Sequence, residues 1–261
     1  MRISLIVATY NRPDALLLVL KSIHCQSLQP NEVIIADDGS DEKTKNLISD
    51  YRTQTNLEII HSFQEDLGFR AAESRNRAIS MASSDYIVLI DGDMILHPEF
   101  IMNHSKNAQP GYFIQGSRVL LSKKKTREVI KEKQIIFNFF SSGLNNRLNS
   151  LYSNFLAKLF SINKNYLEGI KTCNMSFFRK DCISVNGFNN EFEGWGREDS
   201  EFIVRLFNKG INRKTLKFLV IQYHLWHDES DRGSLLKNDQ LLKKAVDESL
   251  DWCSFGINKF L

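Results

Sequence analysis

A chain of 261 residues, 42% hydrophobic and 25% charged with a net charge of +3, can bury a large core and is too apolar and too evenly charged to stay disordered. A pI of about 8.6 lacks the concentrated basic charge of a nucleic-acid-binding domain, so nucleic acid is not an expected partner. Four scattered cysteines, Cys25, Cys173, Cys182 and Cys253, without CxxC spacing argue against a zinc site or a disulfide framework.

Residues 3–9 (ISLIVAT) read as a buried strand that turns at once into Ala8-Thr9-Tyr10-Asn11-Arg12-Pro13. That apolar run is far too short for a signal peptide or a membrane span, and the cytoplasm is the expected location. Residues 14–24 carry apolar side chains at Leu16, Leu17, Val19, Leu20 and Ile23, a helical stripe. Strand and helix then alternate: strand 32–36, helix 41–53, strand 57–62, helix 71–82 and strand 86–90. Such β-α repeats imply an α/β fold with a mostly parallel sheet covered by helices, in which ligands sit at the carboxyl ends of the strands. Thr9-Tyr10-Asn11, Asp37-Asp38 and Asp91-Gly92-Asp93 all fall there.

After Pro98 the rhythm changes, with strands expected at 113–121, 172–178 and 218–225, a helix at 200–208 and one or two helices across 235–255. Between them, residues 123–171 hold ten basic residues against three acidic ones, with Phe137, Phe139, Phe140, Tyr152, Phe155, Phe160 and Tyr166 interleaved. Such a segment either rests on an anionic membrane surface or is a helical insertion with aromatics in the core and lysines in water. Both readings stand at this point.

The chemistry concentrates in two acidic clusters. Asp91 and Asp93 lie two apart around Gly92, at the end of the apolar run 87–90. Alone, an Asp-Gly-Asp is a turn; at the end of a fourth β-α strand it becomes a pair of hard oxygen ligands for Mn2+ or Mg2+ and for the phosphates such an ion binds. The second cluster is Gly194-Trp195-Gly196-Arg197-Glu198-Asp199. Glu198 and Asp199 complement a helix N-terminus, but that does not explain Gly-Trp-Gly before them. Trp195 offers a flat face for the C–H side of a sugar, and a carboxylate beside it can take a proton from a sugar hydroxyl. Asp37 and Asp38 either cap the next helix, together with Ser40 or Asp41, or accept hydrogen bonds from a base or ribose. Of Arg70, Arg75 and Arg77, at least one is expected to face solvent, and Arg75 is the one assigned to the nucleotide. His224 and His227 are nitrogen donors that suit Mn2+ beside an Asp-Gly-Asp.

In order and spacing, Thr9-Tyr10-Asn11-Arg12, Asp37-Asp38-Gly39-Ser40, Arg75-Asn76 and Asp91-Gly92-Asp93 resemble the nucleotide-sugar half of the inverting GT-A glycosyltransferases of family 2. The run from Asn186 to Glu201 is similar to the acceptor-side motif of β-1,4-galactosyltransferases and bacterial chondroitin polymerase modules. The resemblance covers about residues 1 to 230. It implies a GT-A fold, Rossmann-like with helices on both faces, with a nucleotide-sugar half at 1–97, an acceptor half at 98–230 and a helical extension at 231–261. It implies further that a UDP-sugar is the donor, with Thr9, Asp38 and Arg75 on the uridine. Asp91 and Asp93 would be the metal motif, with Asp93 the more direct ligand and His227, or failing it His224, completing the Mn2+ (or Mg2+) site. On the acceptor side, Trp195 and Gly196 with Glu198 would hold a saccharide or lipid-linked oligosaccharide, and Asp199 would be the base.

The galactosyltransferases often carry Gly where this chain has Arg197. The implied role is synthesis of a bacterial surface polysaccharide or lipopolysaccharide, with peripheral contact at the inner membrane. Alternatives are a non-catalytic carbohydrate-binding or scaffold protein on the same fold and a nucleotidylyltransferase. The latter would show a glycine-rich phosphate loop near the N-terminus, and 8–12 contains no glycine.

Overall fold

Four short strands alternating with helices begin the fold of the computed structural model, which describes residues 1–228 and 231–261. Strand β1 (Ile3–Thr9) leads through helix α1 (Pro13–His24) to β2 (Glu32–Asp37), and α2 (Glu42–Thr53) leads to β3 (Ile59–Phe63). Helix α3 (Ala71–Met81) then returns the chain to β4 (Tyr86–Asp91). Proline at the first position of α1, where its missing N–H costs nothing, and Asp41 accepting from the Thr44 amide at the start of α2 (3.1 Å) fix where these helices begin. β1, β2, β3 and β4 pair in parallel, in the order β3-β2-β1-β4, with Thr9 opposite Asp37, Asp37 opposite Phe63 and Ala8 opposite Asp91. That register lines up the ends of the strands.

The second half extends and crosses this sheet. In chain order it contains β5 (Met94–Leu96), α4 (Phe100–Asn107), β6 (Tyr112–Gln115), β7 (Val119–Leu121), α5 (Lys123–Glu132), β8 (Leu144–Asn145) and α6 (Asn154–Phe160). It continues with β9 (Ile162–Asn163), β10 (Asn174–Phe178), α7 (Arg179–Ser184), α8 (Glu198–Asn208), β11 (Asn212–Thr215), β12 (Gln222–His224) and α9 (Leu235–Asp247). β10 adds antiparallel to β4, and β6, β11 and β9 complete an eight-stranded sheet. A four-stranded sheet, β5-β12-β7-β8, stands beside it.

Because side chains alternate across a strand, the large sheet is covered on both faces. Leu5, Val7, Val33 and Ile35 pack with Leu16, Val19 and Leu20 of α1 and Ile48 of α2. Ile6, Ile34 and Leu89 pack with Ala72, Ala78 and Ile79 of α3 and with Phe202, Ile203 and Leu206 of α8. The small side chains of α3 let it lie close against β1 and β2.

Several expectations need correction. The strand expected at 113–121 is two strands in different sheets, separated by Gly116-Ser117-Arg118. The strand expected at 218–225 shrinks to β12, because Phe218 turns the chain at φ 65°. α8 begins two residues earlier than the apolar pattern indicates, so Glu198 and Asp199 lie in its first turn. β5 and α4 have no counterpart in the periodicity. Residues 123–171 are only partly helical and contribute strands to both sheets. Residue 230, the expected end of the transferase domain, lies outside the described residues. Among the described residues no helix is long and apolar enough to cross a membrane.

Candidate active site

The end of β4 and the loop after it carry the first acidic cluster. Gly92 donates its amide to the Ala8 carbonyl (2.6 Å), and a side chain there would meet Thr9 Oγ1 at 2.9 Å. The tight crossing against β1 therefore requires glycine, and it sets Asp91 and Asp93 on either side of the turn. Asp91 is partly buried at the strand end, its Oδ1 3.6 Å from Arg75 Nη2, too long for a hydrogen bond. Burial pushes its carboxyl above the ordinary value, while Arg75 pulls it back and Asp93 adds to the rise.

Asp93 is the focus of a cationic cluster. Arg12 Nη1 lies 2.6 Å from its Oδ2, and His224 Nε2 and His227 Nε2 lie 3.5 and 3.4 Å from the same oxygen. Burial alone would raise this carboxyl; the His224 contact, with the charges of His224, Arg12 and His227, holds it below the usual range. One ligand atom from each of Asp93, His224 and His227 lies within 4.8 Å of the others. His227 Nδ1 sits 2.6 Å from the Asp228 carbonyl, which can only accept, so Nδ1 carries a proton and Nε2 is the ring nitrogen turned toward Asp93. Asp91 Oδ1 and Asp93 Oδ1 are buried without hydrogen-bond partners. Orphaned carboxylate oxygens beside imidazole nitrogens fit a borderline divalent cation. The sequence left His224 and His227 as alternatives, and the structure brings both to Asp93.

The nucleotide-side residues assemble around the ends of β1 and β2. Thr9 is buried with its Oγ1 unpartnered. Asn11, at φ 49°, donates its amide to Ser40 Oγ (2.9 Å) and accepts from the Asp41 amide (2.7 Å). Tyr10 is exposed and donates to Asp66 (3.0 Å), and this bond raises its phenol pKa. Asp37 is fully buried, bonded by the Ser40 amide and His61 (2.8 Å each); against the opposing effect of burial, those bonds keep it below the usual carboxylate range. Asp37 thus braces the turn. Asp38 accepts from the Arg70 amide (2.8 Å) and Gln64 Nε2 (2.5 Å), and burial still pushes its carboxyl up.

Of the three arginines, Arg70 precedes α3 and is partly exposed, as is Arg77, while Arg75 is buried. Arg70 pairs with Glu73 (2.8 Å), and Arg77 lies 5.0 Å from the Phe260 ring. Arg75 joins the two acidic clusters: its Nη1 is 3.0 Å from Glu198 Oε1 while its Nη2 faces Asp91. Burial opposes its charge, but Glu198 and Asp91 outweigh that and raise its pKa. The neighbouring Asn76 is fully buried, donating to the Phe188 carbonyl (2.6 Å) and accepting from the Phe188 amide (2.8 Å). Two consecutive residues of α3 therefore tie the 188–198 segment to the first half of the large sheet.

The loop before α8 is held from behind by α9. Asn238, fully buried, donates to the Gly196 carbonyl (2.9 Å) and the Glu193 carbonyl (3.2 Å). Gly194 has φ 71°, and a side chain there would collide with Ser234. Trp195 is exposed, with the Arg232 guanidinium 5.2 Å from its ring. Arg197 adopts φ 78°, the left-handed region that glycine favours, and donates to Asp239 at 2.6 Å. An ion pair across to α9 holds the conformation for which glycine serves elsewhere. Asp199 is pushed up to about 7, by burial first and then by the adjacent Glu198 charge, with Arg75 and the Ser200 amide opposing.

His61, Gln64, Asn238 and Asp239 escaped the sequence reading. Each is a polar residue whose partner is distant in the chain, and no local spacing marks it.

The family profile "Glycosyl transferase family 2" matches residues 4–184, and "N-terminal domain of galactosyltransferase" matches 157–228, which contain the Trp195 loop and α8. The chain is 24% identical over 228 residues to a chondroitin synthase of Escherichia coli, covering 80% of this chain and 32% of that enzyme. It is 28% identical over 245 residues to a hyaluronan synthase of Pasteurella multocida, covering 85% of this chain and 24% of that enzyme. It thus spans about a third or less of these relatives. Among solved structures, that of S. aureus TarS 1-349 in complex with UDP superposes with a TM-score of 0.56 over 93% of this chain and 64% of that one, at 18% identity.

Proposed function

The chain belongs to glycosyl transferase family 2, and from that membership we propose that it is an inverting, metal-assisted transferase that moves a hexose or N-acetylhexosamine from a UDP-sugar to a saccharide hydroxyl. The observation that carries the proposal is Arg75, whose guanidinium reaches Asp91 on one side and Glu198 on the other. A donor held at the first cluster and an acceptor held at the second are then within one side chain's span. The UDP bound by TarS supports uridine diphosphate as the nucleotide, with Thr9, Tyr10, Asn11, Arg12 and Asp38 around it and Asp37 bracing their turn.

Asp93, His224 and His227 would hold Mn2+ or Mg2+, with Asp91 and Gly92 beside the phosphates; the mixed nitrogen and oxygen donors favour Mn2+. When bound, the ion supplies charge stabilisation for the departing diphosphate. The chain's own cations, Arg12 and Arg75, add to the positive potential at the same place. On the acceptor side, Trp195 packs on the sugar face, Gly196 leaves room for it, and Glu198 accepts from its hydroxyls. Asp199 takes the proton from the attacking hydroxyl, a task for which a carboxyl at about 7 is well matched near neutral pH. One displacement with one base inverts the anomeric centre, whereas hydrolysis by a glycosidase needs two opposed carboxyl groups. A saccharide or lipid-linked oligosaccharide in bacterial surface polysaccharide synthesis is the acceptor class proposed.

The test is turnover of a panel of UDP-galactose, UDP-N-acetylgalactosamine, UDP-glucose and UDP-N-acetylglucosamine with Mn2+. Turnover of one donor, abolished by chelator and by Asp93→Ala, is expected. Absence of both turnover and binding across the panel would overturn the proposal in favour of a non-catalytic carbohydrate-binding protein.

A further inference from the structure

The interleaved basic and aromatic residues of 123–171 separate into two populations in the folded chain. Phe137 is 7% exposed and lies 4.7 Å from the Tyr223 ring, part of a core cluster with Val129 and Leu144. Phe140 is 87% exposed and Phe155 70%, and Ile136, Leu148, Leu159 and Phe160 are also exposed. Soluble surfaces scatter such side chains singly; here six fall within 25 residues of sequence. One of them, Phe140, lines a groove of about 380 Å3 with Phe139, Leu151 and Tyr152, two residues before α6, which carries Phe155, Leu159 and Phe160.

On α6, Phe155 and Leu159 stand four apart on one face, with Lys158 exposed between them and Ala157 buried on the other side. Lys123, Lys124, Lys131, Lys133 and Lys164 are exposed in the same insertion, which holds ten basic residues against three acidic in a chain whose net charge is only +3. Apolar and aromatic side chains beside lysines are what an interface with anionic headgroups requires: the rings enter the acyl boundary and the ammonium groups meet phosphate.

We propose that the exposed face of residues 136–162 docks on an anionic lipid surface. The insertion also reaches the catalytic region. Thr126 Oγ1 of α5 accepts from the Trp226 amide (2.9 Å), and Lys123 Nζ lies 4.1 Å from the Trp226 ring, one residue before His227. Docking this face therefore orients the site toward an acceptor carried by the membrane. The docking itself stands on exposure and charge; only this last consequence rests on the transferase reading.

The experiment is co-sedimentation of the full chain with phosphatidylcholine vesicles, with and without phosphatidylglycerol, at low salt. The wild type is expected to pellet with the anionic vesicles and stay in the supernatant with the neutral ones. Phe155→Ser with Leu159→Ser is expected to weaken partition about tenfold or more, and Lys158→Glu with Lys164→Glu to weaken binding to the anionic vesicles at low salt and to make the remainder less salt-sensitive than the wild type. Thermal unfolding and UDP-sugar turnover of these variants stay at the wild-type level, since none of the four residues lies in the catalytic cluster. Failure of the wild type to pellet with anionic vesicles would overturn the proposal. So would pelleting insensitive to the Phe155 and Leu159 substitutions, which would mean electrostatic adsorption alone. A wild-type dimer that Phe155→Ser dissociates, without vesicle binding, would assign the face to a second copy of the chain instead.

Discussion

Asp199 and Arg75 have opposite electrostatic histories, and each yields a measurable consequence. The Asp199 carboxyl is raised from an ordinary 3.8 to about 7. The folded state therefore holds its proton more tightly than the unfolded state, so the associated stability is fully present below pH 4 and is lost as pH rises through 7. Asp199→Asn removes that loss, and at pH 8 the variant should be more stable than the wild type by on the order of 1–2 kcal/mol, allowing for screening at a partly exposed group. Thermal melts at pH 5 and pH 8 check it: a stability difference that does not grow with pH would contradict it. The same carboxyl predicts an ascending limb near pH 7 in kcat/KM for transfer, absent in Asp199→Asn. Arg75 is the reverse case, a buried cation stabilised by acids. Arg75→Ala strands Asp91 and Glu198 and should cost about 3–5 kcal/mol, read in denaturant titrations, together with loss of transfer. The chemistry-bearing acids were legible in sequence because they cluster at strand and helix ends. The contacts that hold them were not: Asn76 and its partner Phe188 are 112 positions apart, and Asn238 and Gly196 are 42 apart.

At the scale of elements, α9 braces the Trp195 loop ahead of α8. Asn238 of α9 is a buried amide that spans two carbonyls of that loop. Asn238→Ala should cost about 1–3 kcal/mol through the unsatisfied carbonyls. It should also raise the acceptor KM several-fold while leaving donor affinity unchanged; an equal change in both would assign Asn238 to general stability. The early elements were readable because β1, β2 and β4 carry apolar runs and α1 keeps a 3.6-residue apolar stripe. The later ones break those patterns for local reasons. A side chain at Gly116 would run into Asn174, so the chain there passes too close to β10 to continue as a strand. α4 buries Asn103 and His104 alongside Phe100 and Ile101; His104 bonds Ser176 (2.8 Å) and Asn174 (3.1 Å), and burial lowers its pKa to about 3. Polar groups used as core interrupt the hydrophobic period.

For the molecule as a whole, the strand order β3-β2-β1-β4 and the antiparallel addition of β10 leave β4 inside the large sheet, and Arg75 joins the cluster at its carboxyl end to one a hundred residues away at the start of α8. The division of labour proposed there sets donor and metal at Asp93 and proton transfer at Asp199. The most direct test is the affinity for UDP in the presence of Mn2+, measured by calorimetry on the wild type, Asp93→Ala and Asp199→Asn. Asp93→Ala should bind at least about tenfold more weakly, and Asp199→Asn should bind like the wild type while failing to transfer. Wild-type affinity in Asp93→Ala, or an equal loss in both variants, would contradict the division.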